Sequence, residues 1–156
     1  MIKIKPFRQT AGLCGPASLK MVLDFYGVSA SESEIAKIAG ATKEKGISKE
    51  GLIKAAKHFG FQVFLKKKSS INDLRYFIKK KIPVIVDWFF EDDGHYSVVV
   101  DIDKKSVFLM DPSLKKGVRK MPIEKFLRVW FDFRGKFIKN PKDLVLRLML
   151  VVTPLS

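Results

Sequence analysis

Cys14 is the only cysteine in a chain of 156 residues, and it stands in "RQTAGLCGPASLKMVLDFYG", residues 8–27, flanked by Gly12 and Gly15. The apolar run after it places Leu19, Val22, Leu23 and Tyr26 on one helical face, and Met21 and Phe25 widen the arc. That spacing predicts a buried helix over 15–26, with Pro16 tolerated in its first turn and Gly27 as its stop. A thiol at the start of such a helix meets unpaired backbone N–H groups and the positive end of the helix dipole, which favour the nucleophilic thiolate. Gly12 and Gly15 permit another backbone, or a substrate, to come close. A small buried apolar side chain would suit the same position, so Cys14 reads on position alone as either a nucleophile or a packing residue.

Three more residues have the chemistry to work with a thiolate. His95 follows Gly94 and opens the strand-like "HYSVVVDI", where its imidazole can stand at a sheet edge and act as a base. Asp111 ends "SVFLMD". If those two segments pair antiparallel about a turn at 103–105, the carboxylate and the imidazole meet in an approximately matched register, and the carboxylate can orient the ring and stabilise the imidazolium. Gln9, five residues before Cys14, can donate from its side-chain amide to an oxyanion alongside the Cys14 backbone N–H. Taken singly, a strand-end histidine, an Asp-Pro turn and an exposed glutamine are each commonplace. Their order and placement suit a single mechanism.

Elements must hold these four residues in place. Ser31 with Glu34 and Ser70 with Asp73 are capping-box patterns, and Ser48 opens a further helix that ends at Gly60. Beyond Pro83 the pattern changes to "PVIVDWFF", "HYSVVVDI", "SVFLMD" and "LVLRLMLVV", which read as consecutive antiparallel strands interrupted by one helix, "PIEKFLRVW". Helices followed by a strand meander indicate an α+β fold, and no linker or repeat divides residues 1–156, which are expected to form a single domain. Trp88 and Phe90 share a strand face with core character, although the Trp88–Phe90 run could also line a substrate groove.

Composition narrows the classes. One cysteine allows no internal disulfide and no cysteine-rich zinc site, and His58 and His95 alone make a poor metal site. No cofactor and no metal are expected. No apolar window reaches the ~20 residues of a membrane span and the N-terminus lacks a signal-like apolar stretch, so the expected compartment is the cytoplasm. The 30 Lys and Arg against 16 Asp and Glu leave +14. That charge invites nucleic acid, but the lysine triplets 66–68 and 79–81 are not interleaved with aromatics and no nucleic-acid-binding motif is present, so a solvated surface is the reading preferred. The oligomeric state is not legible.

The blocks "RQTAGLCGPASLKMVLDFYG", "DDGHYSVVVDID", "VFLMDPS" and "IEKFLRVW" resemble the papain-like cysteine peptidases that process double-glycine leader peptides of bacteriocins, family thirty-nine of the cysteine peptidases, in a free-standing form. The resemblance runs from about Pro6 to Phe131. It implies a papain-like fold with a helical part carrying the nucleophile Cys14 and a twisted antiparallel sheet carrying the base His95, with Asp111 as orienting carboxylate and Gln9 as oxyanion donor. The Gln9 to Cys14 spacing is one residue shorter than the family's common form. The implied reaction is hydrolysis of a peptide or amide bond through a thioester, with a peptide or protein as substrate. Deamidation and acyl transfer would use the same parts, and a peptide-binding relative that has lost catalysis is the alternative from outside enzymology.

Overall fold

The computed structural model describes residues 1–44, 46–133 and 135–155. The first helix, α1 (Cys14–Phe25), begins one residue earlier than the apolar pattern suggests, so Cys14 is itself the first helical residue. The hydroxyl of Ser31 caps α2 (Glu32–Ala39) and that of Ser48 caps α3 (Lys49–His58), each accepting a backbone N–H of the first turn. Ser31 and Glu34 complete a reciprocal capping box, as do Ser70 and Asp73 at the start of α4 (Ile71–Lys79).

The expected meander is present as β2 (Val84–Phe90), β3 (Asp93–Ile102) and β4 (Ser106–Met110), extended by β5 (Val118–Pro122) before α5 (Ile123–Val129). Helices do not all precede strands, however, because β1 (Phe61–Lys66) falls between α3 and α4. The segment "LVLRLMLVV" is likewise not one strand. Arg147 takes a left-handed φ of 46° and breaks it into β7 (Leu144–Leu146) and β8 (Met149–Pro154). The β7 half pairs with β6 (Phe131–Phe133) in a two-stranded ribbon, while β8 enters the main sheet. That sheet has six strands in the order β1-β8-β2-β3-β4-β5, and every pairing in it is antiparallel.

Apolar residues of α1 (Leu19, Met21, Val22, Leu23), β2 (Val84, Ile85, Val86), β3 (Val98, Val99, Val100) and β8 (Leu150, Val151, Val152) merge into one buried core. Its helix side is α1 lying on β3, with α2 and α3 packed beside it and α3 reaching β1. Burying this many large aliphatic side chains, at roughly 1.5–3 kcal/mol each, is what fixes the helix start carrying Cys14 against the strand carrying His95.

One irregularity in β3 matters for the site. The β3–β4 ladder pairs Ile102 with Val107 and Asp101 with Phe108, then slips by one residue so that Val99 faces Leu109 and Val98 faces Met110. Continuing the slipped register sets Asp111 opposite Ser97, on the same face as His95 two residues away. Without the extra residue Asp111 would lie opposite Val98, on the other face, since a shift of one residue reverses every side chain.

Candidate active site

Strand β4 accompanies β3 only from Val98 onward, which leaves the outer edge of residues 93–97 without a strand neighbour. The start of α1 lies against that edge. The Tyr96 backbone N–H, freed from ladder duty, donates to Cys14 Sγ at 3.4 Å. The Cys14 side chain faces the imidazole of His95 and favours its charged form. The far ring nitrogen, Nε2, is 2.6 Å from Asp111 Oδ1, so Nδ1 is the nitrogen on the sulfur side.

Asp111 is fully buried, and each of its oxygens is occupied. Oδ1 also accepts from the backbone N–H and the hydroxyl of Ser113 at 2.9 and 2.7 Å, and Oδ2 accepts from Arg119 Nε at 2.8 Å. Burial alone would push this carboxyl up. The bonds from His95, Ser113 and Arg119 outweigh it and hold Asp111 below the usual carboxylate range. His95, only 8% exposed, is deeper than a sheet-edge position suggests. Burial pulls its pKa down, but the bonds to Asp111 and Cys14 pull harder the other way and raise it from 6.5 to about 9. The imidazolium is thus the favoured form at neutral pH.

Aromatic rings enclose the pair. Trp88 lies edge-on to His95 at 5.5 Å and Phe90 tilts over it at 5.4 Å. The Arg119 guanidinium sits 4.7 Å from the Phe90 centroid, within cation–π range. Trp88 is buried with its indole N–H donating to Ser97 Oγ, whereas half-buried Phe90 reaches the cleft. The Trp88–Phe90 run is therefore core at its first residue and cleft wall at its last. Phe89, between them, stacks on Phe131 and Phe133 of β6.

Gln9 lines the same open cleft of about 910 Å³ as Cys14 and His95. Its backbone N–H donates to the Pro112 carbonyl at 2.8 Å, tying the segment before the nucleophile to the residue after Asp111. Its side-chain Nε2 donates to the Thr10 carbonyl at 3.3 Å. The two glycines flanking Cys14 make room for the protein's own loop. A Cβ on Gly12 (φ 78°) would lie 2.5 Å from the Lys43 carbonyl oxygen, and one on Gly15 would lie 2.1 Å from Ile47 Cγ2.

The geometry thus brings Gln9, Cys14 and His95 to one cleft, with Asp111 buried behind His95. The model of the Peptidase C39 family matches residues 6–134. The chain belongs to this family. An uncharacterized protein of Methanothermobacter thermautotrophicus is 41% identical over 130 residues, covering 83% of this chain and 84% of that protein. The lactococcin transport/processing ATP-binding protein LcnC-like of Lactococcus lactis is 34% identical over 123 residues, which are 75% of this chain but 16% of that protein. Among solved structures, the peptidase domain of Streptococcus ComA aligns with a TM-score of 0.74 at 23% identity, covering 99% of this chain and 100% of that domain. A double glycine motif protease from an AMS/PCAT transporter, in complex with a leader peptide, aligns with a TM-score of 0.71 at 24% identity over 99% of this chain and 94% of that one. The fold is that of C39 papain-like peptidase domains, and no helix among the described residues is long and apolar enough to cross a membrane.

Several residues of this C39 site are not apparent from sequence reasoning. Arg119 is one arginine among many basic residues, and only strand pairing in β5 shows that it faces Asp111. Ser113 has a partial signal, since Asp-Pro-Ser is a turn in which a side chain two residues on bonds back to the aspartate. Asp87 and Asp132, which line the cleft on β2 and β6, give no signal in a chain read as strongly basic. Among the described residues no group of three or more His, Cys, Asp or Glu is placed to hold a metal ion.

Proposed function

We propose that this chain is a cysteine peptidase that cleaves a peptide bond through a thioester on Cys14, with residues 1–156 carrying the whole activity as one domain. The observation that supports this best is the imidazole standing beside Cys14 in the cleft and bonded on its far side to a fully buried carboxylate. With His95 favoured as imidazolium, a positive ring faces Cys14, and the Tyr96 N–H and the helix start also favour negative charge at its sulfur.

Thiolate Cys14 attacks the scissile carbonyl carbon, forming a C–S bond and moving the carbonyl electron pair onto oxygen. The oxyanion is received by the Cys14 backbone N–H and by Gln9, whose long bond to the Thr10 carbonyl is exchanged for a charge-assisted one. Collapse breaks the C–N bond, and His95 Nδ1–H protonates the departing amine. The neutral imidazole then takes a proton from water, whose hydroxide attacks the thioester and releases the acid and the thiolate. Asp111 keeps Nε2 protonated throughout, so Nδ1 is always the nitrogen that exchanges the proton.

The relatives support the substrate class. The leader peptide held by the AMS/PCAT protease and the processing role in the lactococcin protein's name suggest an extended peptide cut after a double glycine. A lone thiol nucleophile suits the reducing cytoplasm. Turnover of a fluorogenic peptide carrying Gly-Gly before the reporter tests the reading. Wild-type protein should release the reporter, and Cys14→Ala should not. Release by both, or by neither across a panel of Gly-Gly peptides that bind the protein, would overturn it.

A further inference from the structure

Asp87 lies on β2 opposite Tyr96, whose backbone N–H bonds Cys14, and it lines the cleft with Cys14 and His95. It is 5% exposed, in a chain where a buried carboxyl would ordinarily be fully paired. A side-chain hydrogen bond joins it to Asp132 of β6, and no N–H or hydroxyl donor among the described residues reaches its Oδ1. Asp132 is seated there by Gly94: a Cβ at that position would come within 2.2 Å of an Asp132 carboxylate oxygen, so only a glycine leaves the carboxyl its place.

Two carboxyl groups in hydrogen-bond contact hold a proton between them, because two carboxylates so close would repel. Burial pushes Asp87 well up, and the neighbouring Asp132 and Cys14 charges push the same way, so Asp87 holds the proton. A neutral Asp87 can sit beside the thiolate without opposing it. The carboxyl oxygen not engaged with Asp132 then remains as an acceptor beside the cleft, and leaving a buried acceptor unmet costs about 1–3 kcal/mol until something donates to it.

We propose that Asp87 is a substrate-positioning residue whose carboxyl, joined through one oxygen to Asp132, accepts on the other a hydrogen bond from a backbone N–H of a peptide laid across Cys14. An extended peptide presents such a donor at every residue, so the contact would fix register at the scissile bond irrespective of side chains. This rests on the peptidase reading of the site.

The same Gly-Gly fluorogenic peptide is the probe, with KM, kcat, iodoacetamide alkylation of Cys14 and binding of the peptide to the Cys14→Ala protein measured in parallel. Asp87→Leu should raise KM and weaken binding about tenfold, the equivalent of one hydrogen bond, while Cys14 alkylates at the wild-type rate. Asp87→Asn, which keeps an acceptor oxygen and can donate to Asp132, should recover most of that loss. Infrared spectra at neutral pH should contain a protonated-carboxyl stretch that Asp87→Asn removes. Unchanged binding in Asp87→Leu, an Asp87→Asn defect as large as that of Asp87→Leu, or an absent carboxyl stretch would overturn the proposal. If no peptide is cleaved, the peptidase reading fails, yet the binding comparison in the Cys14→Ala background still decides for or against Asp87; a peptide that does not bind at all decides against it.

Discussion

Asp111 distributes one negative charge between two cations, His95 on Oδ1 and Arg119 on Oδ2. Removing Arg119 therefore moves the titration of the imidazole in the opposite sense to removing Asp111. In Asp111→Asn the bond that raises His95 is weakened and burial still lowers it, so the alkaline fall in kcat/KM should move down from about pH 9. Turnover should fall by about 10²-fold or more as the ring loses its orienting anion. In Arg119→Met the nearby positive charge disappears and the carboxylate is left to His95, so the same limb should move up. A pH–rate profile of the two variants checks both signs, and shifts in one direction for both would contradict the arrangement. Gln9→Ala is the third residue-scale test: turnover should drop by about 10²-fold or more with Cys14 alkylation unaffected, and unchanged turnover would remove Gln9 from oxyanion binding.

At the scale of elements, the site depends on where a helix starts and where a strand slips. Gly12 tests the first. Alanine there meets both a φ of 78° and the Lys43 carbonyl at 2.5 Å, whereas Gly40 has a φ of 72° with nothing within 4 Å. Gly40→Ala should cost about 1 kcal/mol in chemical denaturation, and Gly12→Ala distinctly more, with slower alkylation of Cys14 because the loop positioning it must shift. Caps and 3.6-residue periodicity made the helices α1 to α5 legible in the sequence, and dense β-branched runs did the same for β2, β3 and β4. The strands β1, β5 and β6 were not legible. "FQVFLK" and "VRKMP" lie at the two edges of the sheet and each carries two polar residues in a short run, and "FDF" is too short to show alternation. The split of "LVLRLMLVV" turns on a left-handed Arg147 that no turn residue announces. His95 and Asp111 could be paired from sequence only approximately, because the bulge that brings them to one face is invisible in the pattern of apolar residues.

For the molecule as a whole, charge and pH act through few groups. Among the lysine triplets, Lys66 already pairs with Asp73 at 2.9 Å across from the capping box, well away in sequence from the cleft residues. Replacing Lys66, Lys67 and Lys68 with glutamine should alter stability by about 0.5 kcal/mol or less and leave peptide turnover unchanged. A large loss of turnover would place substrate on that face. The pH dependence of stability should instead follow the buried pair. His95 is raised on folding, so its contribution is fully present below 6.5 and is lost as pH rises through about 9. Asp111 is lowered, so its contribution is present above the ordinary carboxylate range and is lost as pH falls below it. Asp87 is raised, so it weighs against folding increasingly above the ordinary carboxylate range; thermal stability should therefore decline from there toward alkaline pH, and Asp111→Asn should make the decline through about 9 shallower.

A thioester on Cys14 is the intermediate that the proposed mechanism requires, and a chain with one cysteine makes its location unambiguous. Wild-type protein mixed with a Gly-Gly peptide ester, quenched in acid on the millisecond to second scale and weighed intact, should carry a mass increment equal to the acyl half of the peptide. The increment should persist longer in His95→Ala, if it forms there at all, and be absent in Cys14→Ala. Peptide cleavage with no increment at any time, or an increment that survives in Cys14→Ala, would contradict the assignment of Cys14 as nucleophile.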